Sequence, residues 1–193
     1  NILILVWERH PAVQVVNSNY YGGEGRGWSE MGRLEVQNPL NEMWSEAILE
    51  VQMIGDDEMN IVWEWHIWDH LIQDVDPELS NYGSIVDSPE LLNINNGIVG
   101  DFDGPCGPHA DWIHFNAIDF NVSLDQIVLS SRYNNEIYII DHSTSTEEAS
   151  GNYGGHSNKG GDLLYRWGNP IAYGQSISNL QFLGAPHGVN WIP

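Results

Sequence analysis

The most evident shortage in this sequence is of positive charge. Its 193 residues include 27 Asp and Glu but only 6 Lys and Arg, which gives a formal net charge of −21 with histidine neutral. Nucleic-acid binding depends on clustered cations that neutralise phosphates, so this balance excludes an ordinary nucleic-acid-binding protein. It also disfavours binding to an anionic membrane surface.

Cysteine and long apolar runs are scarce as well. Cys106 is the only cysteine, which excludes an internal disulfide framework and any metal site built from several thiolates. No apolar run approaches the roughly 20 residues that a membrane-spanning helix needs. Hydrophobic residues nevertheless make up 41% of the chain and aromatic residues 11%. We therefore expect a packed core rather than a disordered acidic segment.

Long helical periodicity is nearly absent, and the apolar runs are short, rich in β-branched and aromatic residues, and bounded by Gly, Asn, Asp and Pro. This pattern predicts strands and turns. The predicted strands are Ile2–Glu8, Glu46–Ile54, Asn60–Ile67, His114–Asn121, Gln126–Ser131, Glu136–His142 and Asp162–Trp167. One short helix is predicted at Ser88–Leu92, with Ser88 as the N-cap and Pro89 as the first helical residue.

The strands form an internal repeat. The matching pairs, in the same order in both copies, are Ile4–Arg9 with Ile127–Arg132, Glu46–Glu50 with Glu136–Ile140, and Asn60–Trp65 with Asp162–Trp167. His114–Asn121 adds a further strand before the second copy. Four antiparallel strands per repeat are typical of a β-propeller blade, and an antiparallel sandwich is the alternative that such strands also allow. We therefore predict an all-β fold, a β-propeller fragment covering roughly two blades.

The predicted organisation is one partial β-propeller domain over residues 1–193. Residues 1–74 would hold most of one blade and a loop, and residues 75–111 a long connecting loop with the short helix. Residues 112–170 would form a full blade, and residues 171–193 the start of the next one. Because a closed propeller needs four or more blades, the sequence is interpreted as a fragment of a longer chain.

Histidines lie where strands are predicted to begin or end. His66 and His70 lie where the strand that begins at Asn60 runs out, His114 precedes Phe115, and His187 stands near the last residue of the sequence. Arg132 closes another strand. In a propeller, equivalent positions of successive blades surround the central channel. These side chains are therefore expected to converge.

Three interpretations of these histidines remain open. A transition metal could be bound by His70, His114 and His187; His66 could not join His70 on a straight strand, where the two would be about 13 Å apart. A histidine nucleophile, helped by a second histidine that moves protons and by an arginine, could instead transfer an anionic group. The third interpretation is that each histidine is a hydrogen-bonded structural residue.

Longer motifs resemble the bacterial arylsulfate sulfotransferase family. The segments that carry the resemblance are Val62–His70, Asp111–Asp119, Gln126–Arg132, Glu136–Asp141, and His187 followed by Trp191–Pro193. They cover most of the chain and keep the order of the motifs.

This resemblance implies a six-bladed propeller that moves a sulfuryl group from an aryl sulfate to a phenol, in a ping-pong reaction through a sulfated histidine. His187 would be the nucleophile, and His70 and His114 the flanking active-site histidines. Arg132 would hold the sulfate oxygens, and Asn116 would line the same pocket. The resemblance implies no metal and no other cofactor.

The partners implied are a small aryl sulfate donor and a phenolic acceptor, without nucleic acid and without insertion into a membrane. The oligomeric state is left open, with a homodimer among the options. An acidic surface suits a saline or extracytoplasmic setting, so we expect a periplasmic or extracellular protein. The alternatives to this enzyme are a non-catalytic propeller that binds a partner and a metal-dependent propeller hydrolase.

Overall fold

A computed structural model describes residues 1–13, 27–101, 107–175 and 181–192. Within these ranges the fold is all-β, as predicted, with only short helices. The strands are β1 (Ile2–Pro11), β2 (Glu42–Ile54), β3 (Glu58–His66), β4 (Leu71–Ile72), β5 (Leu92–Asn93), β6 (Phe115–Asn121), β7 (Gln126–Ser131), β8 (Glu136–Asp141) and β9 (Tyr165–Trp167). The helices are α1 (Thr146–Ala149) and two 3-10 helices at Ile67–His70 and Pro170–Tyr173.

The first sheet contains three antiparallel strands in the order β1-β2-β3. β1 pairs with β2 from Ile2 opposite Val51 to Pro11 opposite Glu42. β2 and β3 are joined by a tight turn at Gly55, whose φ of +68° lies in the left-handed region that favours glycine. The apolar, β-branched segments therefore form the predicted strands, but β1 extends to Pro11 and β2 begins already at Glu42.

The second sheet contains four antiparallel strands in the order β6-β7-β8-β9. The last three of these strands are the segments that the repeat aligned with β1, β2 and β3, and they pair in the same sequential order. β6 lies beside β7, as the extra strand before the second copy. The predicted repeat is therefore confirmed at the level of strand pairing.

The predicted helix at Ser88–Leu92 is wrong. The amide of Leu91 donates to the carbonyl of Ser88 at 3.1 Å, which makes a single turn, and Leu92 then pairs with Leu71 in the short parallel sheet of β4 and β5. The Arg166 guanidinium binds the carbonyls of Pro89 and Leu91 at 3.3 and 3.0 Å. These tertiary contacts require an extended chain at Leu92 and override the local helix signal.

One hydrophobic core joins the two sheets. Its largest fully buried side chains include Trp65, Trp112, Tyr138, Ile48, Ile127 and Leu129. The indole of Trp65 donates to the carbonyl of Gly161 at 2.7 Å, and the indole of Trp63 donates to Thr144 Oγ1 at 3.2 Å. β3 of the first sheet is therefore held against the 144–161 segment that follows β8.

The end of the sequence continues from β9 without further strands in the described residues. Residues 168–175 contain the second 3-10 helix, and residues 181–192 are irregular. This last segment is held against the second sheet, because the amide of Trp191 donates to Asp119 Oδ2 at 2.8 Å. In the described part of the chain, no helix has the length and apolar character needed to span a membrane.

Candidate functional site

Polar residues gather where β6 begins and β7 ends, and we call His114, Asp111, Asn116, Arg132 and Tyr133 the His114 site. The two strand ends are neighbours because Phe115 lies opposite Ser131 in the antiparallel ladder. The amide of Arg132 donates to the carbonyl of His114 at 3.1 Å, and the amide of Tyr133 donates to the carbonyl of Ile113 at 3.1 Å. The structure thus brings the predicted residues His114 and Arg132 together.

His114 occupies an unusual backbone position. Its φ of +57° lies in the left-handed region, which costs a residue with a side chain on the order of 1 kcal/mol and must be enforced by its surroundings. Its Nδ1 is hydrogen-bonded to the carboxylate of Asp111, and its ring centroid lies 5.1 Å from that of Tyr133. Its Nε2 has no hydrogen-bond partner within the described chain, and 26% of the side chain is exposed. This nitrogen is therefore available to a reacting group.

Two buried carboxyl groups stand behind His114. Asp111 is 4% exposed and Glu46, on β2, is 1% exposed. Glu46 Oε1 accepts a hydrogen bond from the amide of Phe115 at 2.9 Å. Burial, followed by the charge of Asp111, raises the pKa of Glu46 to about 8. The raised pKa favours the protonated form of Glu46, and Asp111 is the carboxyl group that bonds and orients the ring of His114.

Arg132 and Tyr133 form the other side of the site. Arg132 is exposed, and its guanidinium carbon lies 6.0 Å from the centroid of the Tyr133 ring. Burial and then the charge of Asp111 raise the pKa of Tyr133, and the charge of Arg132 partly opposes them. Tyr133 also lines a cavity of about 450 Å³, together with Gly97, Ile98, Gly100, Asp101 and His109.

Asn116 connects the site to the segment that carries His187. It lies at a β-bulge between Phe115 and Ala117, a feature that can redirect a side chain out of the regular alternation. Its Nδ2 donates to the carbonyl of Pro186 at 2.8 Å. The exposed His187 follows Pro186 directly. The backbone of His187 therefore lies beside β6, two positions along the strand from His114.

His70, the remaining predicted site residue, has different surroundings. Its side chain is 1% exposed, and its ring stacks on Trp65 with centroids 5.6 Å apart. Its Nδ1 bonds Asp162 Oδ1 at 2.8 Å, and its Nε2 bonds the carbonyl of Ala149 at 2.9 Å. Because a carbonyl can only accept, Nε2 must carry a proton. Both ring nitrogens are therefore used by protein groups.

A second histidine group lies at the corresponding end of the first sheet. His66 Nδ1 bonds Glu8 Oε1 at 2.9 Å, and His10 stacks on Trp68 with centroids 3.6 Å apart. Burial and then the charge of His66 lower the pKa of His10 to about 3. Burial alone would lower the pKa of His66, but the hydrogen bond and charge of Glu8 outweigh it and the pKa is raised. This pair of histidines with opposite pKa shifts was not predicted.

No metal centre is formed by the described residues. Among residues 1–13, 27–101, 107–175 and 181–192, no group of three or more His, Cys, Asp or Glu side chains is arranged to hold a metal ion. Cys106 lies outside these ranges.

Sequence reasoning missed the carboxyl groups of the site. Asp111 had a local signal, since it precedes His114 by three residues and could reach back to its ring. Glu46 had none, because it lies on the other sheet, 69 residues from the amide of Phe115 that it binds. Tyr133 lies between two predicted strands, and no motif distinguished it from its neighbours.

Comparison with known proteins identifies a family. The sequence model described as Arylsulfotransferase (ASST) matches residues 41–151. The match covers more than half of the chain and includes His70, His114, Asn116 and Arg132, whereas His187 lies beyond it. No curated protein and no solved structure matches the chain significantly.

Proposed function

This chain belongs to the arylsulfotransferase family, and from that premise we propose that it transfers a sulfuryl group from an aryl sulfate to a phenolic acceptor through a sulfohistidine. The observation that carries the proposal is the contact between the backbones of His114 and Arg132, with a carboxylate on His114 Nδ1. This combination provides a proton carrier and a cation side by side, as transfer of an anionic group requires.

In the first half-reaction, a ring nitrogen of His187 attacks the sulfur of the aryl sulfate. An N–S bond forms while the bond between the sulfur and the aryl oxygen breaks. The leaving aryloxide takes a proton from Nε2 of His114 and departs as the phenol. Asp111 supports this role because it occupies Nδ1 and leaves Nε2 as the nitrogen that faces the substrate.

In the second half-reaction, the same groups act in reverse. Nε2 of His114 takes the proton from the acceptor phenol while the phenol oxygen attacks the sulfur. The N–S bond breaks, the aryl sulfate product leaves, and the His187 imidazole is restored. The two half-reactions share one site, which accounts for ping-pong kinetics.

Arg132 would neutralise the oxygens of the transferred group. The net charge of −21 opposes the approach of an anionic substrate over long distances, most strongly at low salt. A local cation must then supply the attraction. Arg132 is exposed beside Tyr133, and Asn116, fixed between Ser130 and Pro186, would line the same pocket. His70 as a second flanking histidine stays a prediction.

The cavity beside Tyr133 supports binding of the aromatic part of the substrate. Its volume of about 450 Å³ is within the range of small-molecule pockets. The Tyr133 ring offers a face for stacking on an aryl group. An aryl ring in this cavity would leave its sulfate close to Arg132.

We also propose that the two sheets are neighbouring blades of a propeller, six-bladed in the complete protein. Two observations support this architecture: the repeated order of antiparallel strands, and the packing of β3 against the segment after β8. Each sheet would present the same end, with its histidines, to a common channel.

A periplasmic or extracellular location and a homodimer remain predictions. The acidic composition supports the location, because a highly charged surface keeps a protein soluble in saline surroundings. Cell fractionation would test the location, and sedimentation of the purified protein would test the dimer.

The function is tested with the purified protein, a chromogenic aryl sulfate and a phenol acceptor. With the donor alone, mass analysis should find one sulfuryl group on His187, and His187→Ala should abolish both the adduct and the transfer. His156→Ala is the matched control, because this exposed histidine lies in the loop after β8, at the opposite end of the sheet. A sulfuryl group on another residue would overturn the assignment.

Arg132→Ala should lower turnover by about 10²–10³-fold, the loss typical of removing one charge-stabilising group. Lys159→Ala, which removes an exposed cation from the same distant loop, should leave turnover unchanged. An equal rate for both variants would remove Arg132 from the mechanism. Activity that is lost to a chelator and restored by a divalent metal would favour a hydrolase. Binding of the aryl sulfate without turnover would favour a binding module.

A further inference from the structure

Two buried carboxyl oxygens behind His114 have no hydrogen-bond partner. They are Glu46 Oε2 and Asp111 Oδ1, and neither finds a donor within the described part of the chain. Buried polar atoms are normally paired, since leaving one unsatisfied costs about 1–3 kcal/mol. Two such atoms in adjoining carboxyl groups therefore require an explanation.

The main chain brings the two segments that carry these groups together. Trp44 on β2 forms a parallel bridge with Asp111, and its amide donates to the carbonyl of Ala110 at 2.7 Å. Two residues farther along β2, Glu46 Oε1 accepts the amide of Phe115 at 2.9 Å. Asp111 and Phe115 stand on either side of His114 in the sequence, so both carboxyl groups converge on the same short segment.

We propose that Glu46 and Asp111 share one proton, which Glu46 Oε2 donates to Asp111 Oδ1 while Asp111 Oδ2 binds His114 Nδ1. Glu46 is thus a positioning residue. It fixes the Asp111 carboxylate, and Asp111 in turn fixes the plane and tautomer of His114. The effect on catalysis rests on the proposed function, whereas the shared proton does not depend on it.

Electrostatics supports a single proton on the pair. Two adjacent buried carboxylates repel each other and lose their hydration, so one of them takes up a proton. A protonated Glu46 has one acceptor oxygen for the Phe115 amide and one O–H for Asp111. This arrangement satisfies both unpaired oxygens without any further group. It also agrees with the raised pKa of Glu46, about 8.

Other charged groups around the pair come from several elements. His114 and Tyr133 face Asp111, and Arg132 stands beyond Tyr133. On the first sheet, Trp7 lies opposite Glu46 in the ladder. Farther along the same strands, Arg9 and Glu42 form an ion pair. The indole of Trp44 donates to Glu42 and lies beneath the Arg9 guanidinium.

The shared proton predicts a characteristic dependence of stability on pH. The pKa of Glu46 is about 8 in the folded protein, above its ordinary value of 4.5, so folding takes up a proton between these values. The resulting stabilisation is complete below about pH 4.5 and is lost as the pH rises towards 8. In this window the contribution of Glu46 changes the unfolding equilibrium constant by up to about tenfold per pH unit.

The test compares urea denaturation of the wild type and Glu46→Gln from pH 5 to 8.5. His10 and His66 also contribute to the pH dependence of stability, because folding lowers the pKa of His10 to about 3 and raises that of His66. The difference between the two proteins is therefore the relevant quantity. Glutamine keeps an acceptor for Phe115 and a donor for Asp111 but does not titrate. The stability of the variant should therefore lack the part of the pH dependence that Glu46 contributes. An identical pH dependence in both proteins would overturn the proposal.

Glu42→Gln is the matched control on the same strand. Burial works against ionisation of Glu42, but hydrogen bonds from Arg9 and Trp44 outweigh it and lower its pKa. Its removal should therefore leave the pH dependence between 5 and 8.5 as in the wild type. If Glu42→Gln reduced the pH dependence of stability as much as Glu46→Gln does, the effect would come from the total charge on β2. This result would contradict the shared proton.

Turnover measurements test the positioning role separately. Glu46→Gln should keep the wild-type kcat at pH 7 and, unlike the wild type, retain it above pH 8. Glu46→Ala should lower kcat about tenfold with little change in KM, because His114 loses its alignment. Equal kcat values and equal pH profiles for all three proteins would refute this role. If sulfuryl transfer were absent altogether, the denaturation experiment would still decide whether the proton is shared.

Discussion

His70 and His114 each form a hydrogen bond to an aspartate, but the two regions around them differ in burial and in the partner of the second ring nitrogen. Each histidine follows or precedes a strand, and each bonds an aspartate through Nδ1. At His70 the second nitrogen is taken by the carbonyl of Ala149, and the side chain is 1% exposed. At His114 the second nitrogen has no partner in the described chain, and 26% of the side chain is exposed.

The two sites therefore differ in whether the second ring nitrogen is bound by the protein. A histidine with two buried acceptors connects parts of the fold, here the end of β3 with the 149–162 segment. A histidine with one acceptor has a fixed orientation and a free nitrogen. Because the aspartate is common to both, the difference comes from the carbonyl of Ala149 and from the deeper burial of His70.

His70→Ala should destabilise the protein strongly. It leaves Asp162 and the carbonyl of Ala149 without their partner in a buried region, which costs on the order of 3 kcal/mol. Urea denaturation measures the loss, and His156→Ala, an exposed histidine, should change stability by less than about 0.5 kcal/mol. Loss of turnover at unchanged stability would instead place His70 among the residues that contact substrate.

Gly161→Ala should perturb the same region less severely. A Cβ at this position would lie 2.0 Å from the carbonyl oxygen of Ala149 and 2.6 Å from His70 Nε2. The main chain must shift to make room, and we expect a loss of about 2 kcal/mol in stability.

The matched control for Gly161→Ala is Gly151→Ala, where the nearest atom would be 3.8 Å away. Thermal or urea unfolding of the two variants gives the comparison. Equal stabilities would mean that the segment around His70 adjusts freely, and the description of His70 as a rigid connection would be wrong.

Substitutions of His114 should reveal backbone strain. At its φ of +57°, glycine is unstrained whereas alanine is not, so His114→Gly should be more stable than His114→Ala by about 1 kcal/mol. At an ordinary backbone position the order is reversed. Both variants should lose sulfuryl transfer. A more stable alanine variant would show that the left-handed conformation is not enforced by the surrounding structure.

Much of the fold follows from local pattern. The short β-branched runs predicted β1, β2, β3, β6, β7, β8 and β9 because alternation and composition act within each segment. The helix predicted at Ser88–Leu92 failed because Leu92 pairs with Leu71, which lies far away in the sequence. His114 did not begin β6 as predicted, since its left-handed backbone places it before the strand.

The candidate site was predictable in part. His114 and Arg132 were expected together because propeller blades arrange their strand ends around a common channel, and the structure joins them as the ends of two neighbouring strands. The partners of these residues could not. Glu46 reaches the site from the other sheet, and the bonds of His70 come from Ala149 and Asp162, the latter 92 residues away.

The strand segments, the repeat, the acidic composition and the histidines at strand ends could all be predicted from the sequence. Each of these depends on the residue types along a short stretch of chain. Which histidine has an unbound ring nitrogen, and which buried carboxyl group has a raised pKa, became evident from the tertiary contacts. Those properties depend on burial and on hydrogen-bond partners supplied by distant segments, and no local pattern contains them.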